Sequence, residues 1–519
     1  MTATLDRPVE AAREPWRQRL QPLASGHGGW LATLVVTLVA ALLRFIRLDL
    51  PATTLNAQGI RVGPGKIFDE IYYACDAQNL LRYGVEHATV TGNDRCVPTG
   101  GGAFVVHPPL GKWLIAAGEQ LFGVNTVGWR SAAALFGVLT VLVTVRVGRR
   151  MTGSTLLGAA AGLLLSFDGL HFVQSRVAML DVFLCFFVLA TFACLVVDRD
   201  RVRERLSVST LEQVEAGGRT RGRRWLALAG VMLGCALATK WSALYAAGVL
   251  LPLAVGWEAA ARRTAGVCAP WRTTLRHSSV PVLAALVVLP VVVYVASWAG
   301  WFVTDLGWDR HWADTRGTVA PYLPEVVRSF WHYHAEIFHF HSTLQASHPY
   351  QSHPLTWPIL QRPVSYYYPS KITAGTYGCT TRSCAREVLA IGTPALWWAM
   401  IPAALLLAAR WVAHRDWRAS SLLLVVLAGV LPWEVNDLQH RTMFLFYALP
   451  AVPFLCLGIA LLLGWALGRG GRRRLVGAAA AGAYVALVVV NFFYLYPVLA
   501  AVTIPYSQWS QRMWFPSWI

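Results

Sequence analysis

The sequence predicts an all-α polytopic membrane protein, and three observations carry that prediction. Of 519 residues, 55% are hydrophobic and only 14% are charged. Continuous apolar runs of roughly 17–25 residues, each long enough to cross about 30 Å of hydrocarbon, recur along the chain. Arginines gather between alternate runs. Because the runs are continuous rather than alternating in polarity, a transmembrane barrel is excluded. The net charge of +18 would suit a nucleic-acid partner if it were clustered in a soluble domain. It is instead distributed between apolar runs, as membrane orientation requires, and no nucleic acid is expected.

The first span covers 28–46, "GGWLATLVVTLVAALLRFI". The others fall near 128–146, 154–170, 179–197, 225–240, 242–258, 279–298, 393–410, 419–435, 442–464 and 475–496, about eleven crossings in all. An odd number puts the termini on opposite faces. Arg146, Arg149 and Arg150, eight arginines across 198–224, Arg262, Arg263, Arg272 and Arg276, Arg410, Arg415 and Arg418, and Arg469 with Arg472 to Arg474 all fall on one side. By the positive-inside rule that side is cytoplasmic, and the C-terminus lies outside. Residues 1–27 read as a cytoplasmic tail, too long, polar and acidic for a signal n-region. Residues 28–519 form one membrane domain with two large outer loops, 47–127 and 299–392.

Cysteine positions agree with this topology. Cys185, Cys194, Cys235 and Cys456 lie in spans as small apolar residues, and Cys268 in an inner loop. Cys75, Cys96, Cys379 and Cys384 all fall outside, where disulfides persist, and Cys75–Cys96 and Cys379–Cys384 are the expected pairs. A zinc site is the rival reading, but the spacings lack a CxxC pair.

Candidate chemistry clusters on the outer side. "KIFDEIYYACDAQNLL" places adjacent acids, Asp69 and Glu70, among aromatic residues. A helix N-terminus explains one acid there better than two. "HPPLGKWLIAAGEQLFG" brings His107 and Lys112 to the start of an amphipathic helix. "FDGLHFVQSRVAMLDVF" sets Asp168, Arg176 and Asp181 around an outer turn. Ionisable groups at membrane depth cost about 2.5–3.5 kcal/mol, so these are either paired, Arg176 with Asp181, or facing an anionic ligand. Lys240 beside Trp241 is a snorkelling lysine or a further cation of the site. In the second outer loop histidines recur from His332 to His353, His341 and His348 among them. With Glu336 as the one acid there, hydrogen bonding to sugar or phosphate is the better reading than a metal site. Arg362, fixed before Pro363, suits bidentate phosphate contact.

Taken together, Asp69-Glu70, "HPPLGK" at 107–112, "SRVAMLD" at 175–181, "KWSALY" at 240–245, "HPYQSHPLTWP" at 348–358 and "FLFYALPAVPF" at 444–454 resemble the protein O-mannosyltransferases, in the same order from about residue 30 onward. The resemblance implies the GT-C glycosyltransferase fold and transfer of mannose, with inversion, from polyprenyl-phosphate-mannose to Ser/Thr hydroxyls of exported proteins. It implies a plasma-membrane enzyme of bacterial type, because 299–392 is too short for the MIR domain of eukaryotic members. Asp69 matches the family's base, and Glu70 would orient the acceptor or a neighbouring cation. Arg176, Lys240 and Arg362, with His107, Lys112, Asp181, His341 and His348, are candidates to hold phosphate or sugar. No cofactor or divalent metal is implied. Expected partners are the lipid donor, Ser/Thr-rich segments of exported proteins and the secretion translocon. The alternatives are a sister GT-C transferase with another sugar or a lipid acceptor and, more distantly, a non-catalytic transporter or flippase.

Overall fold

The computed structural model describes residues 27–51, 54–55, 61–62, 65–92, 95–217, 222–316, 320–369, 372–437, 440–467 and 471–519. Apart from His27, the tail expected over 1–27 lies outside them.

Each of the eleven apolar runs carries a helix. Among the described residues nine are long and apolar enough to cross a membrane, α1 (Gly28–Phe45) the first of them. Two runs yield shorter helices, α5 (Thr155–Ser166) and α8 (Arg224–Leu237). At 1.5 Å per residue these are about 18 and 21 Å long, less than the full hydrocarbon thickness. The α5 run stops early because Asp168 accepts the His171 amide and starts a new short helix, α6 (Gly169–Gln174).

The first outer loop holds two helices, α2 (Glu70–Tyr83) and, where the amphipathic segment was expected, α3 (Leu110–Phe122). Between them runs an antiparallel hairpin, β1 (His87–Gly92) with β2 (Arg95–Gly102). The Cys75–Cys96 disulfide fastens α2 to β2. α2 ends at Gly84, whose left-handed φ of 76° lets its amide cap the Leu80 carbonyl. α4 (Thr126–Thr152) begins at Asn125, whose side chain accepts the Val127 and Gly128 amides at 3.0 Å.

The core is built on α7 (Asp181–Ser207) and α14 (Leu445–Ala466), which are buried nearly all round. α9 (Ala243–Thr264), α12 (Pro394–His414) and α13 (Trp417–Asp437) pack about them. α10 (Pro270–Ser297) and α15 (Gly471–Leu499) instead expose apolar side chains, Val280, Val291 and Val292 on one and Leu487 and Val490 on the other. Apolar residues on outward faces mark lipid-facing helices.

In the second outer loop α11 (Glu325–Thr343) is sealed to the end of α10 and to α2 by an aromatic cluster of Trp298, Trp301, Tyr333, Ile337 and Val85. Further on, β3 (Val364–Tyr367) pairs with β6 (Val388–Ala390). A small sheet joins β4 (Ile372–Thr373), β5 (Ser383–Ala385) and β7 (Ile504–Pro505). The Cys379–Cys384 disulfide closes the β4–β5 turn. Both expected pairings are therefore present.

Candidate active site

The two adjacent acids have separate surroundings. Glu70 is fully buried, and its carboxylate accepts Arg130 Nε at 2.7 Å and Nη2 at 2.8 Å, the Ile67 amide at 3.0 Å and the Ala178 amide at 2.9 Å. Arg130 also donates to the Leu48 and Leu50 carbonyls. Glu70 thus pairs with a buried cation and has four donors on its carboxylate. Asp69 is half-buried, and its carboxylate accepts no hydrogen bond from the described residues. The charges of Lys240 and Asp181 act on it. Burial pushes its carboxyl up to about 6, with Lys240 pulling the other way and Asp181 adding to the rise.

Lys240, in the turn after α8, pairs with Asp181 at the first turn of α7 (2.9 and 3.1 Å). Its ammonium also lies 4.6 Å from the ring centre of Tyr447. Asp181 is therefore the partner of Lys240 rather than of Arg176.

A second group of side chains adjoins Lys240. The rings of His107 and His341 stack at 5.5 Å. His341 Nε2 lies 3.0 Å from the Val106 carbonyl, which makes it the protonated nitrogen and leaves Nδ1 to accept Arg441 Nη2 at 3.2 Å. Burial and then Arg441 pull the His341 imidazole down to about 4, and burial with Lys240 and His341 holds His107 well below its usual value. Both rings are neutral at pH 7 and serve as hydrogen-bonding groups. The cations here are Lys240 and Arg441. Among the described residues Arg441 Nε and His107 Nδ1 are buried without a hydrogen-bond partner.

Three expected phosphate ligands are engaged elsewhere. Arg176 donates to the carbonyls of Leu43, Arg44, Ile46 and Arg47, closing the C-terminal end of α1. Arg362 donates to the carbonyls of Pro349 and Ser517 and to a main-chain oxygen of Ile519, joining the second outer loop to the last residues. Lys112 pairs with Glu86, lies 3.9 Å from Asp76 and donates to the His107 carbonyl at 3.1 Å, so it positions His107. Burial of Asp76 beside this lysine raises its carboxyl to about 7, Lys112 opposing the rise. His348 borders the site, its ring edge-on to Phe444 at 5.0 Å and its Nδ1 accepting the Tyr350 amide.

Sequence reading missed Tyr73, Tyr366, Tyr447 and Arg441. Tyr73 is one helical turn after Asp69, and burial with the Asp69 charge raises its phenol well above the usual value, which keeps it a hydrogen-bond donor. Tyr447 stands in the "FLFYALPAVPF" stretch. Arg441 stands in the segment between α13 and α14. Among the described residues one trio has ligand atoms near enough to hold a cation: His353, Glu434 and Asp437. His353 Nδ1, however, accepts the Leu355 amide, so Nε2 carries the proton toward Asp437 at 3.0 Å. That is the geometry of a hydrogen-bonded network tying 348–358 to the end of α13.

Residues 97–302 match the family model described as "Dolichyl-phosphate-mannose-protein mannosyltransferase", and 326–518 the model of the "C-terminal four TMM region of protein-O-mannosyltransferase". The chain is 43% identical over 505 residues to the polyprenol-phosphate-mannose–protein mannosyltransferase of Mycobacterium tuberculosis, spanning 94% of this chain and 92% of that one. It is 39% identical to the counterpart from Mycolicibacterium smegmatis over 94% and 93% of the two chains. The structure of the Saccharomyces cerevisiae protein O-mannosyltransferase Pmt1–Pmt2 complex bound to the sugar donor superposes with a TM-score of 0.71 at 14% identity, covering 98% of this chain and 94% of that chain.

Proposed function

The chain belongs to the protein O-mannosyltransferase family and has the GT-C fold, and from this premise we propose how its outer site works as a polyprenol-phosphate-mannose-dependent protein mannosyltransferase. The donor phosphate sits against Lys240 and Arg441, with His107 and His341 hydrogen-bonding phosphate or sugar. A Ser or Thr hydroxyl of an exported segment lies against Asp69. Asp69 accepts the hydroxyl proton as the oxygen attacks the anomeric carbon from the face opposite the phosphate. The C–O bond to phosphate breaks, and mannose is transferred with inversion.

The leaving group is a phosphate and needs no catalytic acid, so one carboxylate suffices, in contrast to the acid-plus-base pair of an inverting glycosidase. Departure turns a singly charged diester into a monoester that gains negative charge. Cations aimed at that oxygen lower the barrier by stabilising charge as it develops. The observation that carries this reading is the contrast, among the described residues, between Asp69, without a hydrogen-bond donor, and the neighbouring cations, of which Arg441 has its Nε unpartnered. No step calls for a metal or another cofactor.

The arginine bias and the grouping of both disulfides with the outer loops support a plasma-membrane enzyme with its N-terminus cytoplasmic and its C-terminus and site outside. Acceptors would then reach the site in extended form, as segments leaving the secretion translocon do. The direct test supplies membranes carrying the chain with labelled polyprenyl-phosphate-mannose and a Ser/Thr/Pro-rich peptide, beside an equally abundant Asp69→Asn sample. Label on the peptide with wild type alone supports the reading. Label with both removes Asp69 as base, and no label with wild type while another donor sugar works moves the assignment to a sister transferase.

A further inference from the structure

Phe68, the residue before Asp69, holds a φ of 49°. A side chain with a β-carbon resists this left-handed region, and such a conformation persists only where its surroundings enforce it. Those surroundings are visible. The Phe68 ring stacks on Tyr366 with centroids 4.3 Å apart and planes at 13°. Both rings meet Phe446 edge-on, at 6.0 and 5.9 Å. Tyr366 is only 5% exposed, and its hydroxyl accepts a 2.6 Å hydrogen bond from Gln174 Nε2, itself fully buried. Tyr366 belongs to β3 and Gln174 ends α6, so two distant segments converge on one backbone torsion. After that torsion the chain separates its acids, Glu70 to Arg130 and Asp69 to the Lys240–Asp181 side.

We propose that Phe68, Tyr366 and Gln174 form a positioning clamp for Asp69, in which the ring stack holds the left-handed turn that aims the carboxylate into the site. This rests on the reading of Asp69 as the base. Gln174 fixes the tyrosine ring through its hydroxyl, and Phe446 closes the edge of the stack. None of the three is required to touch substrate.

The test uses the full chain in detergent or nanodiscs, with kcat, donor KM and the pH profile of kcat/KM measured per folded enzyme. Tyr366→Leu and Phe68→Leu remove the stack, whereas Tyr366→Phe keeps it. Displacing a catalytic group by about 1 Å costs up to roughly 100-fold, so each leucine variant should lose about 10–100-fold in kcat. Donor KM should stay near wild type, and the acid limb should move toward the ordinary carboxylate range as Asp69 turns to water. Tyr366→Phe keeps the stack but frees the ring from Gln174, so its kcat and acid limb should fall between wild type and Tyr366→Leu. Phe68→Leu/Tyr366→Leu together should lose no more than either alone, since one device is broken once. A Tyr366→Leu enzyme that expresses poorly but keeps wild-type kcat and acid limb would overturn the clamp in favour of packing alone. Multiplicative losses in the double variant would overturn it as well. If Asp69→Asn is itself active, the base assignment fails and the clamp with it; an inactive Asp69→Asn beside an unaffected Tyr366→Leu overturns the clamp only.

Discussion

The carboxyls of Asp69 and Glu70 are attached to consecutive residues, yet one accepts four hydrogen bonds and the other none from the described residues. A base must be deprotonated to work, and burial holds the Asp69 carboxyl near about 6 rather than in the ordinary carboxylate range. The sign follows directly: below about 6 the group is protonated and idle, above it ionised and competent. We therefore expect kcat/KM to rise about tenfold per pH unit on the acid side and to level off above that value, the profile of a single deprotonation. In Asp69→Asn the limb should vanish together with nearly all activity, while donor binding remains. The cations separate in the same way. Truncating Lys240 or Arg441 to alanine removes a charge-assisted contact worth about 1.5–3 kcal/mol, which predicts a donor KM or Kd raised roughly 10–150-fold. Arg176→Ala and Arg362→Ala should leave donor affinity nearly unchanged and lower thermal stability, because their guanidinium groups hold backbone carbonyls. Steady-state kinetics and donor titration on the four variants would distinguish the two kinds of arginine, and a raised donor Kd for Arg176→Ala would restore it to the phosphate site.

At the scale of elements, the Glu70–Arg130 pair joins the start of α2, the α4 helix, the Leu48–Leu50 segment and the turn before α7. Both side chains are fully buried. Removing one partner of such a pair leaves an uncompensated charge and costs about 3–5 kcal/mol, whereas replacing both with apolar residues costs much less. Glu70→Gln and Arg130→Met should each unfold at clearly lower temperature than wild type, with Glu70→Met/Arg130→Met recovering part of the loss. A near-wild-type melting temperature in either single variant would contradict this role for the pair. The elements themselves were legible in the sequence because a bilayer demands long, continuous apolar runs, and all eleven coincide with helices. The shortness of α5 and α8 was not, since hydropathy does not register that Asp168 ends one helix by capping the next. Nor was the partner of each cation. Arg176 and Arg441 both stand at outer turns, and only the fold decides that one meets four carbonyls while the other meets the His341 carbonyl and ring beside His107. The histidine-rich stretch shows the same limit, as His341 enters the site while His353 hydrogen-bonds to the carboxylates at the end of α13.

For the molecule as a whole, orientation follows from where charge and cysteine chemistry are distributed. The two disulfides and the Asp69 site belong to the outer loops, whereas the arginine-rich segments follow α4, α7, α9, α12 and α14 at the opposite end. The chain carries its own probe of this arrangement. Of its five free cysteines, Cys185, Cys194 and Cys456 are buried, Cys235 is partly covered within α8, and Cys268 is exposed between α9 and α10. A membrane-impermeant maleimide should therefore react at Cys268, and only from the side it faces. On the proposed topology, with the N-terminus cytoplasmic, the seventh span begins inside and Cys268 is expected on the inner face. Intact cells should then stay unlabelled, lysed cells or inside-out vesicles should be labelled, and Cys268→Ser should abolish the signal in both. Mild external reduction supplies the complementary arm, because opening Cys379–Cys384 or Cys75–Cys96 from outside creates new labelling sites in intact cells. Labelling of unreduced intact cells at Cys268 would invert the topology and place Asp69 in the cytoplasm. The acceptor would then be a cytosolic rather than an exported polypeptide, so this experiment tests the class of substrate as well as the threading of the chain.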